Sequence, residues 1–544
     1  MSTGAELLVG GLERADVDVC FGLPGVHNLA AWKALASSDI RLVGVRHEQT
    51  AVYAADGYAR ASGRVGVAIT TTGPGAANTL GALGEAWASG SPVVVIATDI
   101  PSSIRRPGVH RGALHEASDQ EAMFKPVTKA TLRVSDPGML GVRIEEAIRT
   151  ASEAPSRPVY VEIPTDVLAA EGEAPPPEPS SSSAAFPDDA ELDRAAAILS
   201  AAERPLVWAG GGALRSGAGR QVAELAERLA APVLTTYMAR GLVGSSHPCA
   251  VGLPPHLPEA GRLWDEADAV LAVGTDFDGM MTQNWAMPRP RHLVAINVDP
   301  ADAAKSYEPE LVLQGDAAAV GAALAERLAA PRDVNALRAR LGEVRREACS
   351  RLEREHPDEM HFLSVFASAV PEEAVVVADM CIAGYWLGAL HPVSAPRKLA
   401  YPMGWGTLGY GFPLAMGSAL AGNGPAVSVS GDGGFLYACG ELATVAQERI
   451  PLTAVIVDDG GYGMLRFDQR HRGEPTFGVD LVTPDFEALA RSFGIEAETV
   501  EGLGEEFGLA LTRQIAVDAP TVLVARAALE PPPTTSPRWY RRAA

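Results

Sequence analysis

The feature that most constrains this chain is a recurring alternation. Short, continuous apolar runs end in turns rich in glycine or aspartate, and longer stretches of helical periodicity follow. The runs fall first at Val17–Phe21, Val65–Thr71, Pro92–Thr98 and Val159–Ile163. A second group is Pro205–Ala209, Pro232–Thr235, Ala269–Val273 and Leu293–Val298. A third is Val375–Asp379, Ala426–Ser430, Leu452–Val457 and Thr521–Ala525. Uninterrupted apolar runs are strands covered on both faces, and helices between them make parallel sheets in α/β layers. At 544 residues the chain exceeds what one core holds.

Two breaks divide it. Gly172–Pro187 (GEAPPPEPSSSSAAFP) reads as a polar linker, and Ala330-Pro331-Arg332 leads into an Arg/Glu-rich helical stretch, Asn335–Glu355. The expected architecture is α/β with three Rossmann-like parallel-sheet domains at 1–168, 188–328 and 360–530. A linker at 169–187 and a helical linker at 329–359 join them. A hydrophobic content of 47% excludes wholesale disorder. The net charge of −22 disfavours nucleic acid and anionic membrane surfaces as partners, and no apolar run is long enough to span a bilayer. Thr3 and Glu6 form a capping-box pattern where an export signal would carry basic residues. The 5 cysteines are scattered without C-x-x-C spacing, so a reducing cytoplasm is the expected location.

In parallel sheets, ligands bind at the carboxyl ends of the strands. The run Ala426–Ser430 ends in Gly431-Asp432-Gly433-Gly434, and after a helical pattern Leu452–Val457 ends in Asp458-Asp459-Gly460-Gly461. Neighbouring strands would bring Asp432 and one of the second acidic pair within reach of a shared cation. Oxygen-only ligands favour Mg²⁺ or Ca²⁺, and Mg²⁺ held by few carboxylates usually completes its shell with water and phosphates. The flanking glycines let a phosphate approach the backbone. In the first block, Arg46-His47-Glu48 opens an Ala-rich helix, which puts Glu48 at a buried helix start. A carboxyl in such a place can exchange a proton near neutrality. Strand-end turns at Gly22-Leu-Pro-Gly25 and Thr72-Gly-Pro-Gly75 accompany it.

Together these motifs resemble the thiamine-diphosphate enzymes of the acetolactate synthase and pyruvate decarboxylase superfamily, the acetolactate synthase large subunit in particular. The motifs are Phe21-Gly-Leu-Pro-Gly25, Arg46-His-Glu48, Asp56-Gly-Tyr-Ala-Arg60, Thr72-Gly-Pro-Gly75, Gly404-Trp-Gly-Thr-Leu-Gly409, Gly431-Asp-Gly433 and Asp458-Asp459. The resemblance implies pyrimidine-binding, central and diphosphate-binding domains, and an active site between two subunits of a homodimer or homotetramer. It implies that Glu48 bonds the aminopyrimidine ring and that Leu408 is the apolar wedge bending the cofactor. It assigns Mg²⁺ to Asp432, Asp459 and the Gly461 carbonyl. Cofactor contacts are implied at Gly25, Gly73, Pro74, Gly406, Gly431, Gly433, Gly434, Tyr462, Gly463 and Met464.

The chain departs from the family's pattern in places. Asp459 stands where Asn is usual. Gly274-Thr-Asp276-Phe-Asp278-Gly-Met280 lacks both arginines of the flavin-binding pattern, so FAD is doubtful. Leu114-His115-Glu116 replaces the synthase Phe-Gln-Glu, and with His27 it is similar to decarboxylases of the 2-ketoarginine type, where histidines relay protons. The reaction expected is decarboxylation of a small 2-oxo acid with carboligation to a carbonyl acceptor. A simple decarboxylase using His115 and a non-catalytic thiamine-binding protein are the alternatives. The segment Arg466–Glu474 reads as a mobile, polar loop beside the cofactor.

Overall fold

The computed structural model describes residues 1–106, 108–175 and 185–534. Most of the Gly172–Pro187 segment therefore lies outside the described residues. Three parallel sheets carry the chain. The N-terminal sheet orders its six strands Arg41–Gly44, Val19–Gly22, Gly66–Thr70, Val93–Asp99, Val159–Pro164 and Ala130–Arg133. The central sheet has five: Val233–Thr235, Pro205–Ala209, Ala269–Val273, His292–Asn297 and Leu311–Gln314. The C-terminal sheet runs Leu399–Ala400, Val375–Ala378, Ala426–Gly431, Leu452–Asp458, Thr521–Arg526 and Glu496–Glu501. The outer two sheets share one strand order, second-first-third-fourth-sixth-fifth, an internal repeat that the residues themselves do not display.

Every expected strand is present within two residues of its expected bounds, and the Asn335–Glu355 helix is where the sequence puts it. Seven of the described strands carry no expected run: two make a small antiparallel pair, and the other five each lie at the edge of a parallel sheet, where one flank is open and a continuous apolar run is not required. Glu171–Gly172, inside the expected linker, forms a short antiparallel pair with Ser2–Thr3 and extends the N-terminal lobe. The Thr3–Glu6 capping box is made in both directions.

The outer lobes are joined by helix against helix. The Glu48–Ser62 helix crosses the Gly411–Leu420 helix so closely that a Cβ on Gly57 would stand 2.0 Å from the Leu414 carbonyl oxygen. A Cβ on Gly417 would lie even nearer the Ala54 carbonyl. The alanines of the first helix make this approach possible, and its flanks enter one shared core with Val43, Tyr53, Phe412, Val377 and Ile456. Each such side chain, fully removed from water, contributes about 2 kcal/mol. Among the described residues no helix is long and apolar enough to cross a membrane.

Candidate active site

The N-terminal half-site is built round one turn. Gly73 follows the Gly66–Thr70 strand with φ +64°, and a Cβ there would lie 2.6 Å from the His115 carbonyl oxygen. Two residues on, a Cβ on Gly75 would meet Glu48 Oε1 at 3.1 Å and the Thr71 side chain, against which Gly25 also packs. The single Gly73-Pro74-Gly75 turn therefore gathers Gly25, Glu48 and His115 at the carboxyl edge of the sheet.

Glu48 begins its helix beside the capping His47, whose Nδ1 accepts the Gln49 N–H at 3.2 Å. The Glu48 carboxylate is buried, and its Oε2 accepts from Asn78 Nδ2 at 3.0 Å. His115 sits at φ +67°, a conformation a side-chain-bearing residue holds only under strain, worth roughly 1–3 kcal/mol. Its ring meets that of His27 edge-on with centroids 5.2 Å apart, and its buried Nδ1 has no hydrogen-bond partner. Burial, and then the neighbouring His115, hold the His27 imidazole below its ordinary pKa, against an opposing pull from Asp99. Gln120, which sequence reasoning missed, accepts the Gly73 N–H at 2.7 Å and donates to Thr98 O and Tyr160 Oη.

The C-terminal half-site lies where Ala426–Gly431 and Leu452–Asp458 pair, in a register that sets Gly431 opposite Val457. Asp432 is buried; its Oδ1 accepts the Gly433 N–H at 2.7 Å, and its Oδ2 has no partner. Burial raises its pKa, and the carboxylates of Asp459 and Asp458 raise it further. Asp459 is also raised by burial, with Arg466 opposing. Arg466 reaches Asp459 Oδ2 at 3.8 Å, donates to the carbonyls of Asp459 and Gly460, and pairs with Asp480 at 2.9 Å. Gly461 has φ +154°, and a Cβ there would stand 2.2 Å from the Val479 carbonyl oxygen. The Tyr462 ring covers Gly433, where a Cβ would be 2.7 Å from its Cε1. Gly463 packs on the half-buried Asp459, and Gly434 on Asp379, a buried carboxylate at the end of the Val375–Asp379 run to which the sequence assigns no site role.

An orphaned carboxylate oxygen, two carboxyls pushed toward the neutral form, and glycine-lined backbone are what a divalent cation with a diphosphate would relieve and fill. Among the described residues no group of three or more His, Cys, Asp or Glu side chains could hold an ion, so a cation here depends on two carboxylates and a backbone carbonyl. The polar stretch expected as a loop is helical from Gly463 to His471. Its Arg, Asp and Gln side chains are compatible with helix, and polarity alone does not distinguish a solvated helix from a loop.

Gly406 and Leu408 lie on a partly exposed loop ahead of the Gly411–Leu420 helix, and Met464 lines a small pocket with Tyr385, Tyr401 and Met380. A larger cavity of about 570 Å³ opens between the three lobes. Its walls include Arg157 and Arg215, but also Asp276, Asp278, Asp302 and Asp316. Asp276 is paired with Lys305 at 2.6 Å. Four carboxylates against two guanidiniums make a poor lining for a flavin diphosphate.

Comparison with known proteins agrees with this layout. Residues 2–123, 192–324 and 379–525 match the N-terminal TPP binding domain, the central domain and the C-terminal TPP binding domain of thiamine pyrophosphate enzymes. The chain is 36% identical over 517 residues to a protein named "Probable 2-ketoarginine decarboxylase" from Pseudomonas aeruginosa, covering 92% of this chain and 90% of that one. It is 30% identical to a "Probable acetolactate synthase large subunit" of Methanocaldococcus jannaschii (91% and 87% covered). It is 33% identical to the "Acetolactate synthase large subunit" of Parasynechococcus marenigrum (91% and 82%). The chain belongs to the thiamine pyrophosphate enzyme family, and its cofactor is thiamine diphosphate.

Proposed function

We propose that this protein is a Mg²⁺-dependent 2-oxo acid decarboxylase that protonates and releases its product as an aldehyde. The observation that carries the reading is the His27–His115 pair, joined to Glu48 through one turn. Thiamine diphosphate, when bound, supplies the sink for the electron pair left by the departing carboxylate. The residues of this chain supply the rest. Asp432, Asp459 and the Gly461 carbonyl would hold Mg²⁺, and the turns at Gly431–Gly434 and Gly461–Met464 would bind the diphosphate. Leu408 would set the bend of the bound cofactor. Glu48 Oε1 is the oxygen left free by Asn78 to hold a proton at the pyrimidine. The His115 imidazole, edge-on to His27 beside the same turn, would deliver a proton to the product carbon.

The Glu48 carboxylate itself meets N-terminal-lobe groups, accepting from Asn78 through Oε2 and turning Oε1 to the Gly75 turn. Exposed apolar side chains stand nearby, Val26 at 80% and Leu114 at 76% exposure. Both facts support a homo-oligomer, a dimer or dimer of dimers, in which the Glu48 edge of one protomer faces the Asp432 edge of another. The five cysteines are all free, which suits a reducing cytoplasm.

Carboligation is the second reading, supported by the acetolactate synthase relatives. The deciding experiment is product analysis on a panel of 2-oxo acids, including pyruvate and 2-ketoarginine, with thiamine diphosphate and Mg²⁺. Aldehyde and CO₂ in equal amounts support the decarboxylase; a coupled hydroxy-oxo acid supports the ligase. Neither product from any substrate would defeat both.

A further inference from the structure

Glu85 belongs to the N-terminal lobe, on the Leu80–Ala88 helix, and is fully buried. Its oxygens point out of that lobe. Oε2 accepts the Trp405 backbone N–H at 2.8 Å, and Oε1 accepts the Gly404 N–H at 3.2 Å and the Ser89 hydroxyl at 2.8 Å. Arg60, largely enclosed and in a two-pronged pair with Asp56, stands 3.7 Å from Oε1 and balances the charge. The same helix shapes its surface to the loop. A Cβ on Gly84 would lie 2.4 Å from the Trp405 ring, and a Cβ on Gly404 would lie 2.6 Å from Ala88 Cβ. Tyr53 Oη meets Thr407 Oγ1 at 2.6 Å from the neighbouring helix. The loop is thus gripped at Gly404, Trp405 and Thr407, immediately before Leu408.

We propose that Glu85 is a positioning residue: by accepting two backbone N–H groups across the lobe boundary it fixes the loop that presents Leu408 to the cofactor. This rests on the role given to Leu408 under the proposed function. A carboxylate receiving two amides is a stronger hold than a neutral acceptor, and its loss leaves both amides without their partner. Because the contact is to backbone, Glu85 acts on where Leu408 stands, not on what touches the diphosphate.

The test uses the full-length chain carrying Glu85→Ala or Glu85→Gln. In the cofactor-free protein, amide hydrogen exchange of residues 401–409 accelerates at least about tenfold in Glu85→Ala, while residues 426–434 keep wild-type protection. Thiamine diphosphate titrated in Mg²⁺ binds within about threefold of wild type, yet deuterium exchange at its C2, measured at saturation, slows about tenfold or more. Glu85→Gln, which keeps one acceptor, falls between. Unchanged exchange at 401–409, or a wild-type C2 rate in both variants, would overturn the role of Glu85 while leaving the proposed function standing. A wild-type protein that binds no thiamine diphosphate would instead overturn the proposed function and this role with it.

Discussion

The Glu441 carboxylate of the C-terminal lobe accepts the His47 backbone N–H at 3.0 Å, one residue before Glu48. It also accepts the Arg46 N–H at 3.0 Å and the Thr444 hydroxyl at 2.6 Å. Burial raises its pKa, and these donors oppose the rise. The start of the Glu48 helix is therefore set by the other lobe. Glu441→Ala orphans two amides, at about 1–3 kcal/mol each. The expected result is a lower thermal midpoint with faster hydrogen exchange at residues 46–50. An unchanged midpoint would mean that the contact carries no weight.

His115 is assigned to proton delivery, so its loss spares earlier steps. His115→Ala should retain thiamine diphosphate binding and C2 deuterium exchange close to wild type. Aldehyde release should fall by roughly 10²-fold or more. Equal loss of C2 exchange would place His115 in cofactor activation or in folding instead.

Removal of metal tests the C-terminal half-site. Dialysis against a chelator should release thiamine diphosphate, and Mg²⁺ should restore binding. Asp432→Asn, lacking the unpartnered anionic oxygen, should need at least about tenfold more Mg²⁺ for half-saturation, a loss of about 1.4 kcal/mol. Wild-type Mg²⁺ dependence in that variant would remove Asp432 from the ligand set.

Asp379 provides a pH dependence. Enclosure in the C-terminal lobe pushes its carboxyl up to about 6 from 3.8, and its Oδ2 has no partner. A folded pKa above the unfolded one contributes stability that is full below pH 3.8 and lost as pH rises through about 6. Asp379→Asn keeps the acceptor for the Met380 N–H and never ionises. In cofactor-free protein its thermal midpoint should match wild type near pH 4 and exceed it at pH 8, by no more than about 3 kcal/mol of stability. A gap independent of pH would show that Asp379 does not titrate on folding.

Interior strands were legible because burial on both faces writes them as continuous apolar runs. Edge strands such as Ala130–Arg133 and Glu496–Glu501 keep one side open and read as polar. The glycine and aspartate turns of both half-sites were equally legible, since each is local to one strand end. The residues that hold those turns were not. Asn78 reaches Glu48 across 30 positions, Gln120 reaches Gly73 across 47, and Glu441 reaches Arg46 across 395. A lone Glu or Gln on a helix gives no sign of a partner in another lobe. The loop expected at Arg466–Glu474 failed for a related reason: the helix there buries none of its residues, so no apolar stripe marks it.

The central claim is that Glu48 of one protomer and Asp432 of another complete a single site. Co-expression of Glu48→Gln and Asp432→Ala chains, each inactive alone, tests it most directly through C2 deuterium exchange of bound thiamine diphosphate. Random pairing makes half the dimers mixed, each with one intact site, so about one quarter of wild-type exchange should return. Exchange no higher than in either parent would contradict the account.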